Sequence, residues 1–192
     1  MFAHFPISRT ILLALMLALA LAACSKPLSH DELLGRAEQA LDEGKLNAAV
    51  IDVKTALQQD KTSAPGRRLL GEVLLRQRKL DEAAIEFGKS LASAEEPSVA
   101  ALYAQALLGS GQQDELLDLQ QNGFFAFAAD EPAFLASLAR AQATIGDTFT
   151  AEQTIEAALA IDPDNPQVQL AQAAVLARHT GEFDEARNIL GN

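Results

Sequence analysis

Few side chains in this sequence could carry covalent or acid–base chemistry, and their spacing limits what that chemistry could be. There is one cysteine, Cys24, and the three histidines are His4, His30 and His179, with no His/Cys cluster at metal-ligand spacing. Asp162-Pro163-Asp164-Asn165 gathers carboxylates in one loop but lacks the glycine and terminal glutamate of a calcium loop. Those acids read as turn formers and helix caps. No glycine-rich phosphate loop occurs. Cys24 is left as the one reactive group, and its thiol could be an ordinary buried apolar residue, half of an intermolecular disulfide, or an attachment point.

What precedes Cys24 favours attachment. Arg9 supplies a positive charge, and the thirteen residues from Ile11 to Ala23 are apolar throughout. A bilayer span takes roughly 20 residues, so the run reads as a cleaved export signal and not as a transmembrane helix. Leu21-Ala22-Ala23 before Cys24 resembles the lipobox of bacterial lipoproteins. That resemblance implies that Cys24 takes a diacylglycerol thioether, becomes the first residue after cleavage, and is acylated on its amine. A thiol so committed leaves no Cys/His nucleophile. Each buried CH₂ of an acyl chain contributes about 0.8 kcal/mol, and more than one chain makes anchoring stable. Residues 1–23 are thus expected to be a signal peptide and 24–29 a lipidated tether, its Ser25 resembling the context that sorts lipoproteins to the outer membrane, facing the periplasm.

The rest of the chain must then position whatever the anchored protein presents. With Gly146 at position 15 of a 34-residue unit, the equivalent slots hold Gly44, Arg78, Gly111 and Gly181, and position 20 holds Ala49, Ala83, Leu116, Ala151 and Ala186. Unit starts fall at His30, Ala64, Pro97, Pro132 and Gln167, at intervals of 34, 33, 35 and 35 residues. This is the period of a tetratricopeptide (TPR) array, in which every unit is a pair of antiparallel helices. The expected fold is an all-α TPR-type solenoid of about five repeats over residues 30–63, 64–96, 97–131, 132–166 and an incomplete 167–192. Strand-like alternation is scarce. Ser29 and Glu32 form a capping-box pattern at the first helix.

Unit three departs from the rule, because its second helix stops at Asn122-Gly123 and is followed by Phe124, Phe125, Phe127 and Phe134. These rings could fill the gap left by the short helix, or form a partner-binding hot spot. Solenoids usually close with a polar capping helix, and the pattern here leads us to expect the amino-terminal part of a longer array or a truncated gene product.

With no residue set for catalysis, we expect no enzyme, no cofactor and no metal, and a function carried by surface. Net charge is -11, from 26 acidic and 15 basic residues, which argues against nucleic acid as a partner. The first helices of such arrays line the concave face. Their groove positions hold Leu34, Glu38, Leu41 and Asp42; Arg68, Glu72, Leu75 and Arg76; Gln105 and Leu108; Arg140; and Val175 and Arg178. Leucines beside alternating charges suit an extended or helical peptide from a protein partner. The lysine and asparagine pattern that clamps a C-terminal carboxylate in chaperone-binding relatives is missing, since Leu34 and Glu38 hold those slots in unit one.

A lipobox followed by Leu46-Asn47-Ala48-Ala49-Val50-Ile51-Asp52-Val53-Lys54-Thr55-Ala56-Leu57 and Gly71-Glu72-Val73-Leu74-Leu75 resembles the amino-terminal part of the PEP-CTERM system TPR lipoproteins. The resemblance implies a part in exopolysaccharide production and exosortase-based surface sorting in a Gram-negative cell envelope. Assembly lipoproteins for a pilus secretin or an outer-membrane complex share the anchor and the repeats, and a regulatory partner of a periplasmic enzyme would too.

Overall fold

The computed structural model describes residues 27–179, 183–189 and 191. The leader, Cys24, Ser25 and the turn glycine Gly181 lie outside them. Helices α1 (His30–Asp42), α2 (Leu46–Gln59), α3 (Ala64–Arg76), α4 (Leu80–Ser93) and α5 (Pro97–Gly109) come first. Then follow α6 (Gln113–Gln121), a 3₁₀ turn over Ala126–Ala128, α7 (Pro132–Thr144), α8 (Thr148–Ile161), α9 (Pro166–His179) and α10 (Phe183–Ile189). No strand occurs among the described residues. Odd-numbered helices form one layer and even-numbered helices the other. Each hairpin packs on the next, with α3 against α2 and α1, α5 against α4, α7 against α5, and α9 against α7 and α8.

Local chemistry sets the helix ends. Ser29 accepts the Glu32 amide and Glu32 accepts the Ser29 amide at 2.8 Å, so the capping box forms. Pro97, Pro132 and Pro166 are each the first residue of their helix, where a missing N–H costs nothing. Pro166 therefore lies inside α9, one residue before the start set by the repeat register.

The turn inside each of the first four hairpins closes identically. Lys45 donates to the Ala40 carbonyl at 2.7 Å, Lys79 to Leu74 at 3.0 Å, Gln112 to Leu107 at 2.8 Å and Asp147 to Gln142 at 3.0 Å. This is the six-to-one bond of a Schellman motif, and the residue before each donor must sit in left-handed space. Gly44, Gly111 and Gly146 do so freely, with φ of 73°, 80° and 91°. Arg78 does so at φ 62°, and it is the one non-glycine residue with positive φ among those described. A Cβ in that conformation costs about 1–2 kcal/mol, so unit two carries strain that its neighbours lack.

Between the layers lies a continuous core of small and aliphatic side chains. Ala49, Ala83, Leu116 and Ala151 from position 20 are fully buried. In unit two, a Cβ on Gly71 would come within 2.6 Å of the buried Phe87 ring, so glycine is what lets α3 approach α4. Ser90, also buried, satisfies its hydroxyl on the Ala64 carbonyl at 2.9 Å. Arg67 on α3 reaches Glu86 on α4 at 2.6 Å and ties the same hairpin from outside, and Lys89, one turn further along α4, reaches the same carboxylate at 2.8 Å.

In unit three the aromatic rings are core. Helix α6 touches α5 far less than α2 touches α1, and Phe125 and Phe134 are fully buried in the gap. Their ring centroids are 4.8 Å apart, and Tyr103 on α5 lies 5.9 Å from Phe125. Phe124 stacks edge-on against Phe125 at 5.0 Å and is partly exposed. The rings therefore fill space instead of forming an open hot spot.

Candidate functional site

The concave layer is made of the first helices, and the structure sorts its predicted groove residues into three groups. Leu34, Leu41 and Val175 are buried, at 9%, 5% and 2% exposure, and present no surface to a partner. For Leu34 and Leu41 the reason is coverage by α3, which packs against α1 and sends Arg76 over to the Leu41 carbonyl at 3.5 Å. Val175 lies on α9, where that helix packs on α7, α8 and α10. A fixed register cannot reveal that the neighbouring helix closes over these apolar positions.

The second group is electrically self-contained. Arg68 donates to Glu72 at 2.5 Å and also lies 3.5 Å from Glu38 on α1. One guanidinium thus serves two carboxylates, and this end of the groove keeps no unpaired positive charge. Asp42 is exposed at the end of α1, and Arg178 is exposed on α9.

The third group comes together in one recess of about 400 Å³ at the carboxy-terminal ends of α3 and α5 and the middle of α7. Leu75, Arg76, Gln105, Leu108 and Arg140, all predicted, line it with Arg78, Leu80 and Gly109, which the groove register omits. Gly109 leaves room for Leu80, whose Cδ1 would lie 2.9 Å from an added Cβ. The sequence signal for Arg78 was visible as an arginine in a glycine slot, but it lies in a turn, outside the helical positions assigned to the groove.

Three arginines, Arg76, Arg78 and Arg140, are among the residues lining this recess and no carboxylate lines it, with the Arg76 guanidinium also reaching the Leu41 carbonyl at its edge. Arg140 is half-buried, and desolvation pulls its guanidinium below the ordinary arginine range. It stays charged, since arginine does not deprotonate in proteins. Among the described residues its side chain has no hydrogen bond or ion pair, whereas Arg68 has two. A second recess of about 340 Å³ adjoins the first through Gln105 and is lined by Ala101, Leu102, Ala133, Ser98 and Ser137, with Glu131 and Gln167 also on its lining. A basic pocket therefore opens onto a mostly apolar shelf on the same face.

No group of three or more His, Cys, Asp or Glu residues that could hold a metal occurs among the described residues. No helix among them is long and apolar enough to cross a membrane.

Comparison with solved structures identifies the architecture. YrrB, described as a TPR protein with an unusual peptide-binding site, superposes with a TM-score of 0.63 at 18% identity over 82% of this chain and 84% of its own. The pilF protein of Pseudomonas aeruginosa gives 0.65 at 21% identity over 83% and 72%. A thermophilic TPR protein of Thermus thermophilus gives 0.65 at 18% over 84% and 88%. The chain folds as a tetratricopeptide-repeat solenoid. At these identities the likeness speaks for fold alone. No protein-family model and no curated protein matches the sequence.

Proposed function

We propose that this chain is a lipid-anchored periplasmic TPR scaffold of a Gram-negative envelope that holds a protein partner in its concave face, in exopolysaccharide export and PEP-CTERM protein sorting. The observation that carries the binding half is the recess in which Arg76, Arg78 and Arg140 stand without a carboxylate beside an apolar shelf. A cluster of arginines beside an apolar shelf suits the binding of an anionic segment, through charge-assisted hydrogen bonds. The likeness to YrrB adds support, since that protein is described as having a peptide-binding site.

The anchoring half rests on the lipobox pattern at Leu21-Ala22-Ala23-Cys24. Radiolabelled palmitate is expected to enter the wild-type product and not Cys24→Ala, and the variant is expected to leave the membrane fraction. Equal fractionation of both would remove the anchor from the proposal. Deletion of the gene should reduce surface polysaccharide while leaving pili intact. Loss of pili together with co-purification of a secretin would transfer the chain to the assembly-lipoprotein class.

A further inference from the structure

We infer that the Arg76–Arg78–Arg140 recess receives an acidic side chain of the partner protein, with an apolar side chain about three residues away seated on the Ala101–Leu102 shelf. This rests on the scaffold reading and specifies the chemistry of what the scaffold holds.

The case begins with charge. The chain carries a net charge of -11, so its overall field repels acidic segments, and a concentrated exception to that field selects them at contact. Of the groove arginines outside the recess, Arg68 is already neutralised by Glu38 and Glu72, and Arg178 stands exposed on α9, away from the recess. The three inside it face no carboxylate.

Desolvation points the same way. A half-buried guanidinium with no partner among the described residues has lost water without gaining an acceptor, and a bidentate carboxylate replaces what was lost. Arg78 adds a conformational sign. Glycine fills its slot in the other described turns, yet an arginine that lines the recess is held there in left-handed space. Strain of this kind is kept where a side chain has a task.

Spacing then fixes the pattern. Arg140 and Ala133 are seven positions apart on α7, which at about 1.5 Å per residue separates the two subsites by roughly 10 Å. An extended chain covers about 3.3–3.6 Å per residue, so the acidic and apolar side chains are about three residues apart.

The test uses the full chain purified from membranes in detergent and a fluorescein-labelled eight-residue peptide with two aspartates followed three residues later by leucine. Fluorescence anisotropy should show saturable binding that weakens at least tenfold when asparagines replace the aspartates. Arg140→Gln should weaken it at least tenfold, and Arg76→Gln with Arg78→Gln similarly, while Lys54→Gln, an equal charge change on exposed α2, should leave it unchanged. Unaltered circular dichroism and melting show that each variant is folded. Arg140→Lys keeps the charge and loses the fork, so it should fall between wild type and Arg140→Gln.

Equal affinity for the two peptides, or equal loss in Lys54→Gln and Arg140→Gln, would overturn the inference. So would absence of peptide binding, including the case in which inorganic phosphate or phosphatidylglycerol vesicles bind in an Arg140-dependent manner. If a partner still co-purifies with the triple Arg→Gln variant, the scaffold reading survives and the recess assignment falls.

Discussion

At the scale of single residues, two side chains trade stability for something else or supply it conditionally. Arg78 occupies a left-handed turn position that glycine fills in three other hairpins. Arg78→Gly should therefore raise stability by about 1 kcal/mol, read as a higher urea midpoint. The same change should weaken capture of the acidic peptide. Glu86 behaves oppositely. Burial pushes its carboxyl up, but hydrogen bonds and charge from Lys89 and Arg67 outweigh that and hold it below the ordinary value of 4.5. A depressed carboxylate stabilises the fold above its unfolded pKa and loses that contribution as pH falls through the folded one. Glu86→Gln should cost about 1 kcal/mol near pH 7, and the gap from wild type should close as pH drops below 4.5.

At the scale of elements, the hairpins were legible because period and turn chemistry agree. Glycine at position 15 in four of five units and alanine at position 20 in four of five set the repeat, since the Schellman turn and the close helix approach admit few residues. Gly71 shows how tight that approach is. Gly71→Ala would press a methyl into the Phe87 ring and should cost about 1–3 kcal/mol in thermal or urea unfolding. Less of the groove could be read. Leu34, Leu41 and Val175 share the register of Glu38 and Arg140, and only the packing of adjacent helices separates covered from open positions. Arg78 and Leu80 were missed because they reach the concave face from a turn and from the start of a second helix. In unit three the sequence left two uses for the phenylalanines open. The structure chooses filling, so Phe125→Ala should cost about 3–5 kcal/mol by leaving a cavity between Tyr103 and Phe134.

At the scale of the whole molecule, a solenoid has no centre, and its stability is close to a sum over repeats and their interfaces. The curved face is one surface only because successive first helices stay in contact, α3 to α5 to α7 to α9. The arginine recess spans three of those helices. Any change that tilts one unit against the next therefore moves the guanidiniums apart, and binding should report on inter-repeat geometry as well as on charge. Salt provides the check. Raising ionic strength should weaken acidic-peptide binding while leaving the melting temperature nearly constant, since the core that joins the repeats is apolar. A parallel fall in both would place the electrostatics in the scaffold and not in the recess.

The loosely joined third hairpin gives the array a seam. Repeats in a line share any pull applied between their ends, and α6 has the least grip on its own companion helix among the first four pairs. Under load, single-molecule extension should show the chain yielding there before the well-matched pairs on either side. Because Gln105 and Leu108 of the arginine recess belong to α5 of that same hairpin, a yield there would loosen the grip on whatever the recess holds. Four packed rings would act as a fuse between load and capture.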